Sequence, residues 1–295
     1  MTHPGALLLA FIGALGLPGG ARAAVDLAAL WDFSNPAASE QRFRDALAGA
    51  GGDDAVILTT QIARTHGLRR DLARAKEVLA SLEPRLAAAG PEARVRHALE
   101  WGRAHISAVT RPDERTPEAL ATARSAYQRA LAVATEGRLD GLAIDAVHMM
   151  AFVDTAPADQ LKWNQQALAL VVASAQPEAK AWEASIRNNL AHSLHLLGRH
   201  AESLPHYERA LALRRAKGSA RQVYVGRWLV ARALRLTGRL DEALALQTRL
   251  EGEMHVVGGP DPFVFEEIEL IHRARGDAAR AAAYADKLAA ARRKS

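Results

Sequence analysis

The sequence predicts an all-α fold: about six helix pairs stacked in one row behind an N-terminal capping helix. Three observations predict it. The chain is rich in Ala, Leu and Arg, residues that lose little side-chain freedom in a helix. Gly and Pro fall mostly between stretches of helical periodicity rather than within them. A close-packing position recurs at Ala63, Gly102, His148, Ala191, Ala231 and Glu269, at intervals of 39, 46, 43, 40 and 38 residues. No single helix pair can bury its apolar face, so repeated pairs must stack into one continuous core.

In chain order, Met1–Ala23 reads as a secretory signal. Ala6–Leu17 is an apolar run too short for a stable membrane anchor, Pro18-Gly19-Gly20 breaks it, and Ala21-Arg22-Ala23 supplies an A-x-A cleavage site. The expected mature chain is 24–295, one repeat domain, periplasmic or secreted. Trp31 and Phe33 read as apolar plugs over the end of the stack, since terminal units must differ from internal ones. Asn35-Pro36 starts the capping helix, with Asn as N-cap and Pro at the first helical position. Gly49, Gly51 and Gly52 end it.

The six pairs follow. Asp71-Leu72 opens a second helix in the first pair. In the second pair Thr110–Glu118 reads as an insertion, Thr116-Pro117 restarts a helix, and Tyr127 and Ala130 face its partner. The third pair carries Trp163 and Ala167. In the fourth, fifth and sixth pairs Gly198, Gly238 and Gly276 mark the turn between helices. The last residues, Ala289–Ser295, read as a frayed, solvated helix end.

The fourth pair, Arg187–Leu213, resembles a tetratricopeptide repeat. Leu190-Ala191 supply that family's apolar–small pair and Leu194 its large residue. Gly198 sits at the turn, Ser203 stands where Ala is usual, and Tyr207 and Ala210 complete the second helix. Arg187 replaces the opening Trp and Arg215 the closing Pro. All five intervals exceed the family's repeat of about 34 residues, so helices or connections are longer than usual. The resemblance implies a right-handed α-solenoid whose first helices line a concave groove, and a protein that binds peptide or protein segments there without catalysis.

Charge and chemistry agree with a binding role. The net charge is +5, or +4 once Arg22 leaves with the signal, and the signs are interleaved as on solvated helix faces. There is no cysteine, which excludes disulfides, thiolate catalysis and lipid attachment through Cys. No mature segment approaches a membrane span. There is no G-x-S-x-G, H-E-x-x-H, P-loop or dinucleotide turn, and no cofactor is expected. His192 and His195 share a helix face, but two ligands are fewer than zinc needs. Asp145 and His148, three apart, read as a structural hydrogen-bonded pair. A His- or metal-dependent enzyme is the alternative. A polyanion binder, suggested by the pI of 9.8, is the other, though dispersed cations and few aromatics argue against nucleic acid.

The open face of the first helices lies opposite the packing residues. It reads Thr60 and Arg64; Leu99, Arg103 and Ile106; Asp145, Met149 and Phe152; Asn188, His192 and His195; Trp228, Arg232 and Arg235; Glu266, Leu270 and Arg273. The candidate binding residues are Asn188, His192, Trp228, Arg232, Arg235 and Arg273. Asn and basic side chains on this face resemble in type those with which relatives grip peptide carboxylates, so the expected partner is a carboxylate-bearing segment.

Overall fold

A computed structural model describes residues 25–293, all of whose regular elements are helical; the signal segment lies outside them. A single turn, Leu27–Leu30, precedes the capping helix α1, Pro36–Leu47. Asn35 caps α1 by accepting from the Ala38 amide at 3.1 Å, and Pro36 is its first residue. The six pairs are α2 (Gly52–Leu68) with α3 (Leu72–Ala80), α4 (Pro91–Arg103) with α5 (Pro117–Glu136), and α6 (Asp140–Val153) with α7 (Pro157–Ala173). They continue as α8 (Glu183–Leu196) with α9 (His200–Lys217), α10 (Ala220–Leu236) with α11 (Leu240–Gly252), and α12 (Pro262–Ala274) with α13 (Ala278–Arg292). Each helix packs mainly on its chain neighbours, and α2 also on α4. The fold is an α-solenoid.

In four of the six pairs the recurring position does the work expected of it. Ala63, Ala191 and Ala231 are fully buried. Gly102 is tightest: a Cβ there would sit 2.4 Å from Tyr127 Cε1. Tyr127 is itself buried and donates to the Ile106 carbonyl at 2.6 Å. Packing this close, with no void and no spare room, is what fixes one helix against the next. His148 stands only half-buried. Glu269 is buried but ion-paired with Arg273 one turn on, which is how a carboxylate survives at a packing position.

The turns after α8, α10 and α12 place Gly198, Gly238 and Gly276 in the left-handed region. In the first pair Arg70 occupies that conformation, with φ of 66°.

Three expectations are corrected. Thr60, Leu99, Ile106 and Met149 belong to the core, not the open face. Leu99 and Ile106 pack with Tyr127 and Met149, because the third pair covers them. Phe33 is 61% exposed, whereas Trp31 packs edge-on to Phe43 at 5.0 Å; only the first ring plugs the end. The C-terminal helix continues through Arg292, and Ala291 is buried beside Tyr224 and Ile268.

Candidate functional site

The open face of α8, α10 and α12 carries the residues singled out from sequence. Trp228 is held rather than free: its indole N–H donates to the Phe263 carbonyl at 3.1 Å and the two rings meet edge to face at 6.1 Å. One turn on, the Arg232 guanidinium lies 5.4 Å from the Trp228 ring centroid, within cation–π range. Arg235 makes a forked pair with Glu267 of α12, at 2.7 and 3.0 Å. Arg232 reaches the same carboxylate only at 3.6 Å, beyond hydrogen-bond length. Two guanidinium groups thus face one carboxylate, and Arg232 is the one left over.

The face brings Trp228, Arg232 and Arg235 together. Of the other candidates, Asn188 and Arg273 are engaged with other partners, and His192 lies within electrostatic reach of Arg232. Asn188 accepts from Arg214 at 3.2 Å. Arg273 pairs with Glu269. His192 is exposed, 6.3 Å ring to ring from His195, which in turn is 5.0 Å from His200. Burial and the nearby Arg232 push the His195 pKa down to about 4, and His192 shifts the same way for the same reasons. These rings are therefore neutral near pH 7. No group of three or more His, Cys, Asp or Glu among the described residues is placed to hold a metal ion. No helix among them is long and apolar enough to cross a membrane.

Beyond Trp228 lies an apolar hollow of about 570 Å³, walled by Tyr224, Val225, Phe263 and the Gly258-Gly259-Pro260 bend. Both glycines have positive φ, a bend that side chains would resist. No motif in the sequence singles this loop out.

A second set of charges was legible only in part. Arg64, Arg103 and Asp145 were on the expected open face, but their partner Glu100 was not. Glu100 precedes Arg103 by three residues on α4, a spacing that signals a helical ion pair. It accepts from Arg64 at 3.3 Å and from Arg103 at 2.6 Å, and Arg103 continues to Asp145 at 2.5 Å. Burial opposes the charge on Asp145, but the Arg103 and Arg64 guanidinium groups outweigh it and hold the carboxyl below its usual range. Asp145 is thus bound to Arg103 and not to His148. The imidazole of His148 instead lies against Phe152, Trp182 and the Asn189 amide.

Residues 182–251, the span of the fourth and fifth pairs, match the tetratricopeptide-repeat family model. The fourth and fifth pairs are tetratricopeptide repeats. Solved structures extend the likeness along the solenoid. A STAND-type signal-transduction ATPase with a tetratricopeptide-repeat sensor, from Pyrococcus horikoshii, superposes with a TM-score of 0.66 at 12% identity over 86% of this chain. This chain spans 38% of that protein's length. RapI in its apo form gives a TM-score of 0.69 at 12% identity, covering 91% of this chain and 76% of RapI. A Rap protein complexed with Competence and Sporulation Factor gives 0.50 at 14% identity, covering 86% of this chain and 69% of that one. At these identities the likeness is one of fold. Among curated proteins no sequence matches.

Proposed function

We propose that the protein is a non-catalytic scaffold that holds a peptide or protein segment on the open face of α8, α10 and α12. The observation that carries this is the uneven pairing at Glu267. Arg235 saturates the carboxylate, so Arg232 keeps guanidinium N–H groups for an incoming one. Trp228 beneath it is fixed in place by its bond to Phe263. Arg and Trp held in this way are the residue types most often found at binding hot spots. The ligand group is a carboxylate, an acidic side chain or a free C-terminus, gripped by a forked guanidinium. The Rap protein solved in complex with Competence and Sporulation Factor, a structure of similar fold, supports the reading that such a fold serves binding.

The proposed setting is outside the cytoplasm, with cleavage after Ala23. N-terminal sequencing of the native protein is expected to begin at Ala24; Met1 or Thr2 on cytoplasmic material would refute export. The binding test is a pull-down from native periplasm or medium with wild type and Arg232→Ala side by side. Equal recovery of the same partners by both would place binding elsewhere.

A further inference from the structure

We infer that a second site, in the first half of the solenoid, takes a free apolar amino acid as its zwitterion. The site is a cleft of about 210 Å³ between α2, α4 and α6. It shares no residue with the α8–α12 face, so the two readings stand or fall separately.

The first observation is a wall that the stack does not require. Within the other pairs the two helices are joined by short turns, at 69–71, 154–156, 197–199, 237–239 and 275–277. In the second pair the connection runs 104–116. Ser107, Ala108 and Val109 of this connection line the cleft. It is pinned from both sides. Arg70 of the first pair donates to the Val109 carbonyl and pairs with Glu114. Arg115 donates to the Phe152 carbonyl of the third pair at 2.6 Å. A long connection latched this way builds an enclosure, and long ordered connections in compact folds are most often functional.

The second observation is the space itself. Ala63, Gly67, Ala75, Ala104 and Ala108 line it, and their small side chains leave it open. The volume is about 210 Å³. That is below the usual ~300–1,000 Å³ of drug-sized pockets, and suits one metabolite rather than a peptide.

The third observation is the chemistry of its lining. Arg64, Glu100, Arg103 and Asp145 all border the cleft, and their charges cancel. Glu100 and Asp145 each use one oxygen for the arginines, leaving Oε2 and Oδ2 without a bond among the described residues. Arg64 spends only Nη1 on Glu100 and is backed by the Trp31 and Phe33 rings, each 5.7 Å away. An ion of either sign would bring an unbalanced charge into a partly dry site. A zwitterion brings none. Its carboxylate meets Arg64, its ammonium meets the free oxygens of Asp145 and Glu100, and its side chain meets Leu68, Met149, Phe152 and Trp182.

Titration calorimetry and thermal melting of the full chain test this with L-leucine, glycine, leucinamide and N-acetyl-leucine. Leucine is expected to bind at one site and raise Tm. Each of the other three lacks the side chain or one of the two charges, and each should bind about tenfold or more weaker, the factor for one lost interaction of about 1.4 kcal/mol. Arg64→Gln and the space-filling Ala108→Leu should each weaken leucine by a similar factor while circular dichroism is unchanged. Absence of heat and of a Tm shift with leucine up to ~10 mM, the weak end of measurable affinity, would overturn the proposal. Equal binding of leucine and N-acetyl-leucine would overturn it too, as would full leucine binding by folded Ala108→Leu.

Discussion

Arg64 and Arg232 hold the same place in the repeat, and each reaches the glutamate two residues before the packing position of the next pair. Arg64 follows Ala63 and meets Glu100, two before Gly102, at 3.3 Å. Arg232 follows Ala231 and meets Glu267, two before Glu269, at 3.6 Å. Each guanidinium also lies near a tryptophan ring, at 5.7 and 5.4 Å. In both places a second arginine shares the glutamate: Arg103 on Glu100 and Arg235 on Glu267. The difference is downstream. Arg103 continues to Asp145, which balances the first cluster, whereas among the described residues Arg235 meets no further acid and the second cluster keeps one positive charge.

That difference separates stability from binding at the second cluster. Glu267→Ala strips a nearly buried carboxylate from Arg235 and should cost about 3 kcal/mol, since breaking such a pair strands the partner's charge. Arg232→Ala removes only a long ion pair on a partly exposed side chain and should cost less than about 1 kcal/mol. It should still weaken partner capture by about 2 kcal/mol if Arg232 is a hot spot, as should Trp228→Ala. Urea denaturation of the variants measures the first pair of values. An Arg232→Ala loss of stability as large as that of Glu267→Ala would make Arg232 structural.

Close packing gives a sharper test in the second pair. Gly102→Ala places a methyl group 2.4 Å from a ring atom of Tyr127. That ring is fully buried and its hydroxyl is tied to Ile106, so it has nowhere to move. The expected cost is about 1–3 kcal/mol of overpacking, exceeding the small helix-propensity gain from replacing Gly. Ala231→Leu, at the equivalent position of the fifth pair, should cost about the same. A melting temperature unchanged in both would mean that this position does not set the helix-to-helix distance.

The sequence was most legible where local chemistry and packing agree. Gly198, Gly238 and Gly276 marked turns because a left-handed residue has a recognisable identity, and Asn35-Pro36 marked a helix start for a similar reason. Legibility failed where the third dimension decides. Thr60, Leu99 and Ile106 fall on a face that looks open by periodicity, but a neighbouring pair covers it. Glu100 was missed as the partner of Arg64, and Glu267 as that of Arg235, because those pairings cross between helices more than thirty residues apart. Trp228 and Arg232 were found because their spacing of four lies within one helix. The connection at 104–116 was visible as an insertion, but what it encloses is set by the latches through Arg70 and Arg115.

Two backbone positions give changes of opposite sign. Gly238 has φ of 80° with nothing near its absent Cβ, so Gly238→Ala should destabilise by about 1 kcal/mol through backbone strain alone. Arg138, between α5 and α6, has φ of 53°, a conformation costly for any residue with a Cβ. Arg138→Gly should relieve it and stabilise by up to about 1 kcal/mol, less the added freedom of the unfolded chain. Chemical denaturation measures both. A destabilised Arg138→Gly would mean that the flexibility gained outweighs the strain released.

Acid should loosen the solenoid in two stages. Burial lowers the pKa of His97, whose Nε2 lies 3.0 Å from the Leu79 carbonyl, and pushes that of His195 down to about 4 with the help of Arg232 and His200. In both cases the folded pKa is below the unfolded value of about 6.5, so folding favours the neutral ring. Their stabilisation is therefore complete above about pH 6.5 and declines towards pH 4, as the unfolded chain takes up protons that the folded chain refuses. Asp145 and Asp154 act lower down. Burial opposes the charge on Asp145 but its arginines prevail, while Asp154 is lowered first by its bond to Arg124. Their contribution is present above the unfolded carboxylate pKa of about 4 and is lost as pH falls through the depressed folded values. Urea midpoints between pH 7.5 and 3 should thus fall first with the histidines and again with the carboxylates. His97→Gln and His195→Gln should flatten only the upper stage. A midpoint that stays level from pH 7 to 5 would show that these rings accept protons in the fold as readily as out of it.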